Sequence, residues 1–174
     1  RDVLNEIHLH YEDIEFNEDT ILKLHEIMMS YTGVEDAGKY KVNQNYVIEE
    51  DTQGNRKVRF KPLEPKETPI AMEQLVLAYN DACNNININQ LLLIPCVILD
   101  FLCIHPFRDG NGRMSRLLTL LLLYKSGFNV GKYISFEEQI NNNKGNYYEA
   151  LRLSSINWIE NEQSYVPFIE NFLL

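Results

Sequence analysis

Apolar residues recur along most of this chain with the period of an α-helix. In residues 17–33 they lie three and four positions apart on one face, after Asn17, which suits an N-cap, and before Gly33, which suits a helix end. The same pattern predicts seven further helices. Three have both ends defined, at 3–14, 111–126 and 165–174. Of the others, one starts at 68, one ends at 104, a short one starts at 135, and one lies around 147. The chain is therefore predicted to be all-α.

A different pattern occupies residues 38–61, where apolar and polar residues alternate with the period of a strand. A turn-forming segment, Thr52-Gln53-Gly54-Asn55, separates the two alternating stretches. We predict a β-hairpin here. Its exposed edge is able to pair with an extended segment of another protein, or the hairpin serves only to cover the helices.

Two unusually apolar helices are joined by a short polar loop. The first ends at Ile104, the second begins at Asn111, and the loop contains Pro106 and two glycines, Gly110 and Gly112. A helix that is apolar on nearly every side is buried in a protein core. We therefore expect a helical bundle around this central helix-loop-helix.

Length, charge and cysteine content narrow the class of protein. The 174 residues suit one domain, residues 1–174, and a net charge of −9 disfavours binding to nucleic acid or to a membrane surface. Three cysteines are too few for a disulfide framework, and the longest apolar run, Leu91–Ile104, is too short to span a bilayer. We expect a cytoplasmic protein, and because the chain starts at Arg1 we hypothesise that the natural protein continues upstream.

The polar loop offers a binding site for phosphate groups. Glycines flank Asn111 at the start of a helix, where converging backbone N–H groups and the positive end of the helix dipole form an anion nest. Arg113 and Arg116 are three residues apart, so both project to the same side of that helix. Two guanidinium groups beside such a nest indicate a polyphosphate ligand.

Two further residues of the loop complete a reactive set. Asp109 would repel a phosphate unless a divalent cation bridged them, and Mg²⁺ is the hard cation that carboxylate and phosphate oxygens prefer. His105 has the ordinary pKa of a general base at neutral pH, although a lone histidine is more often structural. A base, a metal ligand and a phosphate nest together predict phosphoryl or nucleotidyl transfer to a hydroxyl group.

The segment His105-Pro106-Phe107-Arg108-Asp109-Gly110-Asn111-Gly112-Arg113-Met114-Ser115-Arg116 resembles the Fic-family motif His-x-Phe-x-(Asp/Glu)-Gly-Asn-Gly-Arg-x-x-Arg at every fixed position. The resemblance extends to Gly38-Lys39-Tyr40-Lys41, to Ser126-Gly127 and to Tyr147-Tyr148-Glu149-Ala150-Leu151, and so covers roughly residue 15 to the end. It implies the Fic fold, with the hairpin of about 38–61 as the family's flap. It also implies a protein adenylyltransferase, which moves AMP from ATP to a Tyr, Ser or Thr hydroxyl of a target protein docked along the flap.

The resemblance assigns roles within the catalytic loop, residues 105–113. His105 is the base that takes the hydroxyl proton, Phe107 anchors the loop in the core, and Asp109 holds Mg²⁺. Two kinds of nucleotide contact are implied for the remaining residues. Gly110, Asn111 and Gly112 contact the α- and β-phosphates of ATP, with the Asn111 side chain on the α-phosphate. Arg113 binds the β-phosphate and Arg116 the γ-phosphate. The residues that border the adenine are Tyr147, Tyr148 and Leu151.

Several alternatives stay open at this stage. Core packing is nearly as good an interpretation of Tyr147 and Tyr148 as adenine binding. Related Fic proteins transfer UMP or phosphocholine or remove AMP, whereas the Doc branch, a kinase, has Lys where this chain has Gly112. A helical interaction module without catalysis is the remaining hypothesis, against which an intact His105 and Asp109 speak.

Many Fic proteins carry an inhibitory helix with the pattern (Ser/Thr)-x-x-x-Glu-(Gly/Asn), whose Glu pairs with the second arginine of the motif, here Arg116. Glu160-Asn161 has the right last two residues, but Ile156 stands where Ser or Thr is needed. We therefore expect the inhibitory Glu to come from a segment upstream of Arg1 or from a partner antitoxin. Within this chain, Arg116 is then expected to face an open γ-phosphate position.

Overall fold

The structure is a computed structural model that describes residues 2–50, 53–54, 56–132 and 135–174. Within these residues it contains eight α-helices, two strands, and 3-10 turns at Pro65–Glu67 and Asn129–Lys132. The helices are α1 (Asp2–His10), α2 (Glu18–Met29), α3 (Thr68–Cys83), α4 (Gln90–Ile104), α5 (Asn111–Lys125), α6 (Phe136–Asn142), α7 (Lys144–Ser154) and α8 (Val166–Leu173). The strands are β1 (Val47–Glu50) and β2 (Arg56–Phe60). The prediction of a mainly helical protein is confirmed.

Asparagine and serine side chains set several of the helix boundaries. Asn17 caps α2 by accepting a hydrogen bond from Thr20 N at 2.8 Å, and Asn89 caps α4 in the same way through Leu91 N at 2.9 Å. Ser135 caps α6, with 3.3 Å between its Oγ and Glu138 N. Thr68, in contrast, is the first residue of α3, and its hydroxyl donates a hydrogen bond to Glu64 O at 3.1 Å.

Helices α4 and α5 form the centre of the molecule. Their inward side chains are fully buried, including Leu99, Phe101, Met114 and Leu121. Helix α4 also packs against α3 and α8, and α1 packs against α5. The predicted buried helix-loop-helix is therefore confirmed, and the polar loop between α4 and α5 is held from several sides.

The hairpin is shorter than predicted. Strands β1 and β2 pair antiparallel, with Ile48 opposite Val58, but residues 38–46 form no strand. Their polar groups bond the α4–α5 loop instead of a strand partner, as in the hydrogen bond from Lys41 N to Pro106 O at 2.8 Å. Thr52 and Asn55 of the predicted turn lie outside the described residues, whereas Gly54 has a φ of 83°.

A buried carboxylate fastens the C-terminal segment to α4. Asp100 accepts hydrogen bonds from Trp158 Nε1 at 2.7 Å and from Tyr165 OH at 2.9 Å. Burial raises the pKa of Asp100, and the two donors act against that rise. These bonds fix the chain between α7 and α8, and both helices contribute residues to the wall of a cavity described below. No helix in the described part of the chain has both the length and the apolar character that crossing a bilayer requires.

Candidate active site

His105 ends α4 in a left-handed backbone conformation, with φ 52° and ψ 60°. A residue with a Cβ pays about 1–2 kcal/mol for this conformation, so the surrounding structure must hold it there. His105 Nδ1 lies 3.1 Å from Leu102 O. Since a carbonyl only accepts, Nδ1 carries the proton and the lone pair of the neutral ring is on Nε2. The structure therefore presents Nε2 as the atom that accepts a proton.

The environment keeps the His105 imidazole neutral. Burial lowers its pKa from the ordinary value to about 4, and the positive charge of Lys41 acts in the same direction. The hydrogen bond to Leu102 O and the charge of Asp109 act against that shift. At neutral pH the imidazole is therefore uncharged, with a free lone pair on Nε2, which is the state a general base needs.

Phe107 is fully buried and anchors the loop, as the sequence predicted. Its ring stacks on the imidazole of His25 in α2, with centroids 3.7 Å apart and planes 2° from parallel. The His25 side chain is itself buried, with 2% of its surface exposed. His25 Nε2 lies 3.0 Å from Asp109 O, and Gly38 N donates to Nδ1 at 2.9 Å. Both ring nitrogens thus hold backbone of the site.

The loop turns into α5 at Gly110, which has a φ of 84°. A Cβ there would lie 2.8 Å from the Met28 Cε atom, so Gly110 faces protein and its conformation favours glycine. A Cβ at Gly112 would meet only Arg116 Nη1, at 3.7 Å, which is ordinary contact. The first helical bond of α5 is Met114 N to Gly110 O, so the N–H groups ahead of it point out of the helix end. These N–H groups lie where the sequence predicts an anion nest.

The Asn111 side chain bonds the loop that precedes it. The side chain is buried, its Oδ1 accepts from Phe107 N at 2.9 Å, and its Nδ2 donates to Phe107 O at 2.7 Å. The side chain therefore closes the loop on itself, and its predicted contact to the α-phosphate stays a prediction. The physical reason is that two buried backbone groups of Phe107 need partners, and Asn111 supplies a donor and an acceptor at once.

Asp109 suits a magnesium ion shared with a nucleotide. Its side chain is 71% exposed, and its Oδ2 lies 3.3 Å from Arg113 Nη2. Mg²⁺ commonly takes one or two carboxylates, with phosphate oxygens and water as its other ligands. Among the described residues no group of three or more acidic, histidine or cysteine side chains could hold a metal alone. Asp109 therefore fits a cation that arrives with phosphates.

Arg116 corrects one expectation of the sequence. Its Nη2 lies 3.6 Å from Glu137 Oε1, at the start of α6, so the guanidinium faces a carboxylate of this same chain and not an open position. The Arg116 side chain is 25% exposed and that of Glu137 is 71% exposed. Glu137 lies outside any (Ser/Thr)-x-x-x-Glu-(Gly/Asn) pattern, and for that reason the motif search missed it.

Two cavities meet at Arg116. One, of about 450 Å³, is walled by α5, α6, α7 and α8, and includes Ser115, Phe136, Tyr147 and Phe168. The other, of about 510 Å³, lies between α1, α2 and α5 and also includes Arg113, Lys132 and Glu137. The first has the aromatic lining and size of a site for a planar ligand group.

The three predicted adenine contacts separate in the structure. Tyr147 lines the 450 Å³ cavity, and burial raises its pKa to about 12. Tyr148 is 38% exposed and meets the Tyr147 ring edge to face, with centroids 5.3 Å apart. Leu151 packs against the core. Of the three, only Tyr147 is among the described residues that line this cavity, together with Phe136 and Phe168, which the short tyrosine motif did not reveal.

The sequence profile of the Fic/DOC family matches residues 15–123, which include the whole loop. The protein adenylyltransferase fic-1 of Caenorhabditis elegans is 30% identical over 117 residues, 67% of this chain and 21% of that protein. A Fido domain-containing protein of Dictyostelium discoideum is 30% identical over 113 residues, 65% of this chain and 73% of that protein. The chain thus spans about a fifth of the length of its C. elegans relative.

Solved structures agree in fold. A Fic domain-containing signalling protein of Bacteroides thetaiotaomicron superposes with a TM-score of 0.74 at 26% identity, covering 97% of this chain and 63% of that one. A Fic family protein of Desulfovibrio desulfuricans gives 0.74 at 24% identity, covering 99% and 48%, and shows the fold alone. This chain belongs to the Fic/DOC family and has the Fic fold. Fic-type group transfer is the class of activity that its relatives support.

Proposed function

We propose that this chain is a protein adenylyltransferase, which transfers AMP from ATP to a Tyr, Ser or Thr hydroxyl of a target protein and releases pyrophosphate. One observation carries the proposal. The neutral His105 base and the α5 anion nest stand at the two ends of one loop, and Arg116 of that helix borders an aromatic cavity of about 450 Å³. A base, a phosphate site and an aromatic cavity are the parts that nucleotidyl transfer needs.

The residues divide the reaction between them. His105 Nε2 accepts the proton of the target hydroxyl, whose oxygen attacks the α-phosphorus. The new O–P bond forms as the bond to the β-phosphate breaks, and pyrophosphate leaves. Asp109 would hold Mg²⁺, which neutralises phosphate charge. The α5 N–H groups, Arg113 and Arg116 position the phosphates, while Tyr147 borders the adenine.

The target protein is proposed to dock along β1 and β2. Ile48 and Val58 are both more than half exposed, and a two-stranded sheet leaves strand edges able to accept an extended segment. The segment that precedes β1 is bonded to the catalytic loop, so a docked strand is aligned with His105. An inhibitory Glu from an upstream helix or a partner antitoxin remains a proposal, and it would have to displace Glu137 from Arg116.

The test uses ATP labelled at either the α- or the γ-phosphate, with Mg²⁺ and a lysate as source of targets. The proposal expects protein label from the α-phosphate only, and its loss by about 10²–10⁴-fold in His105→Ala, whose ATP affinity by calorimetry changes a few-fold at most. Label from the γ-phosphate would make the chain a kinase. Parallel reactions with labelled UTP and CDP-choline distinguish the other Fic-type transfers.

A further inference from the structure

Four successive backbone carbonyls around His105 accept hydrogen bonds from two residues of the segment before β1, three of them from side chains and one from a backbone N–H. Lys41 Nζ donates to Ile104 O at 3.0 Å and Lys41 N to Pro106 O at 2.8 Å. Asn45 Nδ2 donates to His105 O at 3.2 Å and to Phe107 O at 2.8 Å. Asn45 Oδ1 in turn accepts from Lys41 Nζ at 2.9 Å, which joins the two residues. We name Lys41 and Asn45 the carbonyl clamp.

The carbonyl clamp contains a buried positive charge, the ammonium group of Lys41, and burial of a charge without partners is unfavourable. Lys41 is 4% exposed, and burial lowers its pKa to about 8. Its ammonium group bonds the last carbonyl of α4, at the negative end of that helix. An apolar side chain of similar length would fill the same space without the cost of desolvation. The ammonium group of Lys41 is therefore better explained by its hydrogen bonds to Ile104 O and Asn45 Oδ1 than by packing.

The backbone that the carbonyl clamp binds has an unfavourable conformation, which needs support from other residues. His105 has a φ of 52°, a region that residues with a Cβ rarely adopt, and it lies between the α4 end and Pro106. Every rotation of this backbone moves the imidazole, because the ring is attached at the same Cα. The clamp bonds the carbonyls on both sides of that Cα, those of Ile104 and His105.

We propose that Lys41 and Asn45 are positioning residues, which fix the left-handed backbone of His105 so that its Nε2 faces the hydroxyl from which it takes the proton. The role rests on the proposed function, since it concerns the base of that reaction. The clamp also links two parts of the site. Asn45 stands two residues before Val47, where β1 begins, so the strand that would receive the target and the base share one support.

The kinetic test compares Lys41→Met, Lys41→Arg and Asn45→Ala, with Lys66→Met as control, because Lys66 is an exposed lysine in the 3-10 turn that lies beyond the hairpin. Displacing a base by about 1 Å lowers a rate by roughly 10²-fold. We expect kcat for AMP transfer to fall by about that factor in Lys41→Met and Asn45→Ala, with KM for ATP unchanged. Lys41→Arg should recover most of the rate, and Lys66→Met should match the wild type.

A second measurement does not depend on activity. NMR of histidine-labelled protein without nucleotide or Mg²⁺ follows the His105 ring through its titration. The charged groups that act on this ring are Lys41, which lowers its pKa, and Asp109, which raises it. We expect Lys41→Met to raise the His105 pKa and Lys41→Arg to leave it near the wild-type value.

The outcomes separate the inference from the proposed function. Wild-type protein that transfers no AMP contradicts the proposed function, while the shifted His105 titration still supports the clamp. A folded Lys41→Met with an unchanged His105 titration, or an Asn45→Ala variant with wild-type kcat, overturns the inference. A fall in kcat matched by an equal fall in ATP affinity also overturns it, since that result would mark a general loss of structure.

Discussion

The imidazole of His25 stacks on the ring of Phe107, with 3.7 Å between centroids and 2° between planes. The same imidazole bonds Asp109 O and Gly38 N, so α2, the catalytic loop and the segment before β1 meet at one buried side chain. His25 is not in the motif, yet it contacts the loop on which every motif residue depends. Helix α2 therefore does more than cover the core, since His25 also holds the backbone of Asp109, the residue that we propose as a metal ligand.

We predict that His25→Ala lowers the free energy of unfolding by about 2–4 kcal/mol, because it removes the stacked ring and the hydrogen bonds to two partly buried backbone groups, Asp109 O and Gly38 N. Urea denaturation measures this change. His10→Ala is the control, since His10 is exposed at the end of α1 and a surface substitution of this kind changes stability by about 0.5 kcal/mol or less. A His25→Ala variant as stable as His10→Ala would show that the contacts of His25 are unimportant.

Stability should fall on acidification through two histidines. The pKa values of both His25 and His105 are lowered by burial, that of His105 to about 4. The unfolded chain therefore binds more protons than the folded one below about pH 6.5, and the free energy of unfolding decreases as the pH falls. For His105 the loss continues to about pH 4, at up to about 1.4 kcal/mol per pH unit.

The measurement is urea denaturation at several pH values between about 4.5 and 7, in the wild type, His25→Asn and His105→Ala. Each variant should show a shallower dependence on pH than the wild type, because it lacks one titrating group. The pKa of Asp100 is raised, so this residue increases the free energy of unfolding as the pH falls toward its ordinary pKa. Asp100 is present in all three proteins, and its contribution therefore cancels when their slopes are compared. Identical slopes in the three proteins would contradict the assignment to histidines.

The two glycines of the nest should respond differently to alanine. Gly110→Ala brings a Cβ to 2.8 Å from Met28 at a φ of 84°, so we expect a loss of about 1–3 kcal/mol in stability. Gly112→Ala has ordinary contact only, and in the first turn of α5 it should leave stability equal or raised by up to about 1 kcal/mol. Its Cβ faces Arg116, so its effect should appear in ATP affinity. Thermal denaturation and calorimetry measure the two effects, and equal destabilisation by both substitutions would contradict the distinction.

The sequence predicted those parts of the fold and site that local patterns encode. Asn17, Asn89 and Ser135 cap helices because a cap depends only on neighbouring residues, and the motif located the loop and its nest. The contacts of His25 and Lys41 could not be predicted in this way, because their partners lie 84 and 63 residues away along the chain. The alternation of apolar and polar residues at 38–46 predicted a strand. In the structure Lys41 and Asn45 instead form hydrogen bonds to the catalytic loop, about 60 residues away along the chain, and no strand among the described residues pairs with this segment.

The ion pair between Arg116 and Glu137 should oppose nucleotide binding. Glu137 lies 3.6 Å from the guanidinium that we propose for the γ-phosphate, so ATP must displace a carboxylate to reach it. Because Glu137 is 71% exposed, the pair contributes at most about 1 kcal/mol, and Glu137→Gln should tighten ATP binding by up to about five-fold. Affinity for AMP, which has no γ-phosphate, should stay the same. Calorimetry with both nucleotides makes the comparison, and Glu138→Gln, on the next residue of α6, is the matched control. If Glu137→Gln raised the affinity for ATP and AMP equally, or if Glu138→Gln had the same effect, the cause would be the lower net negative charge of the protein and not the contact between Glu137 and Arg116.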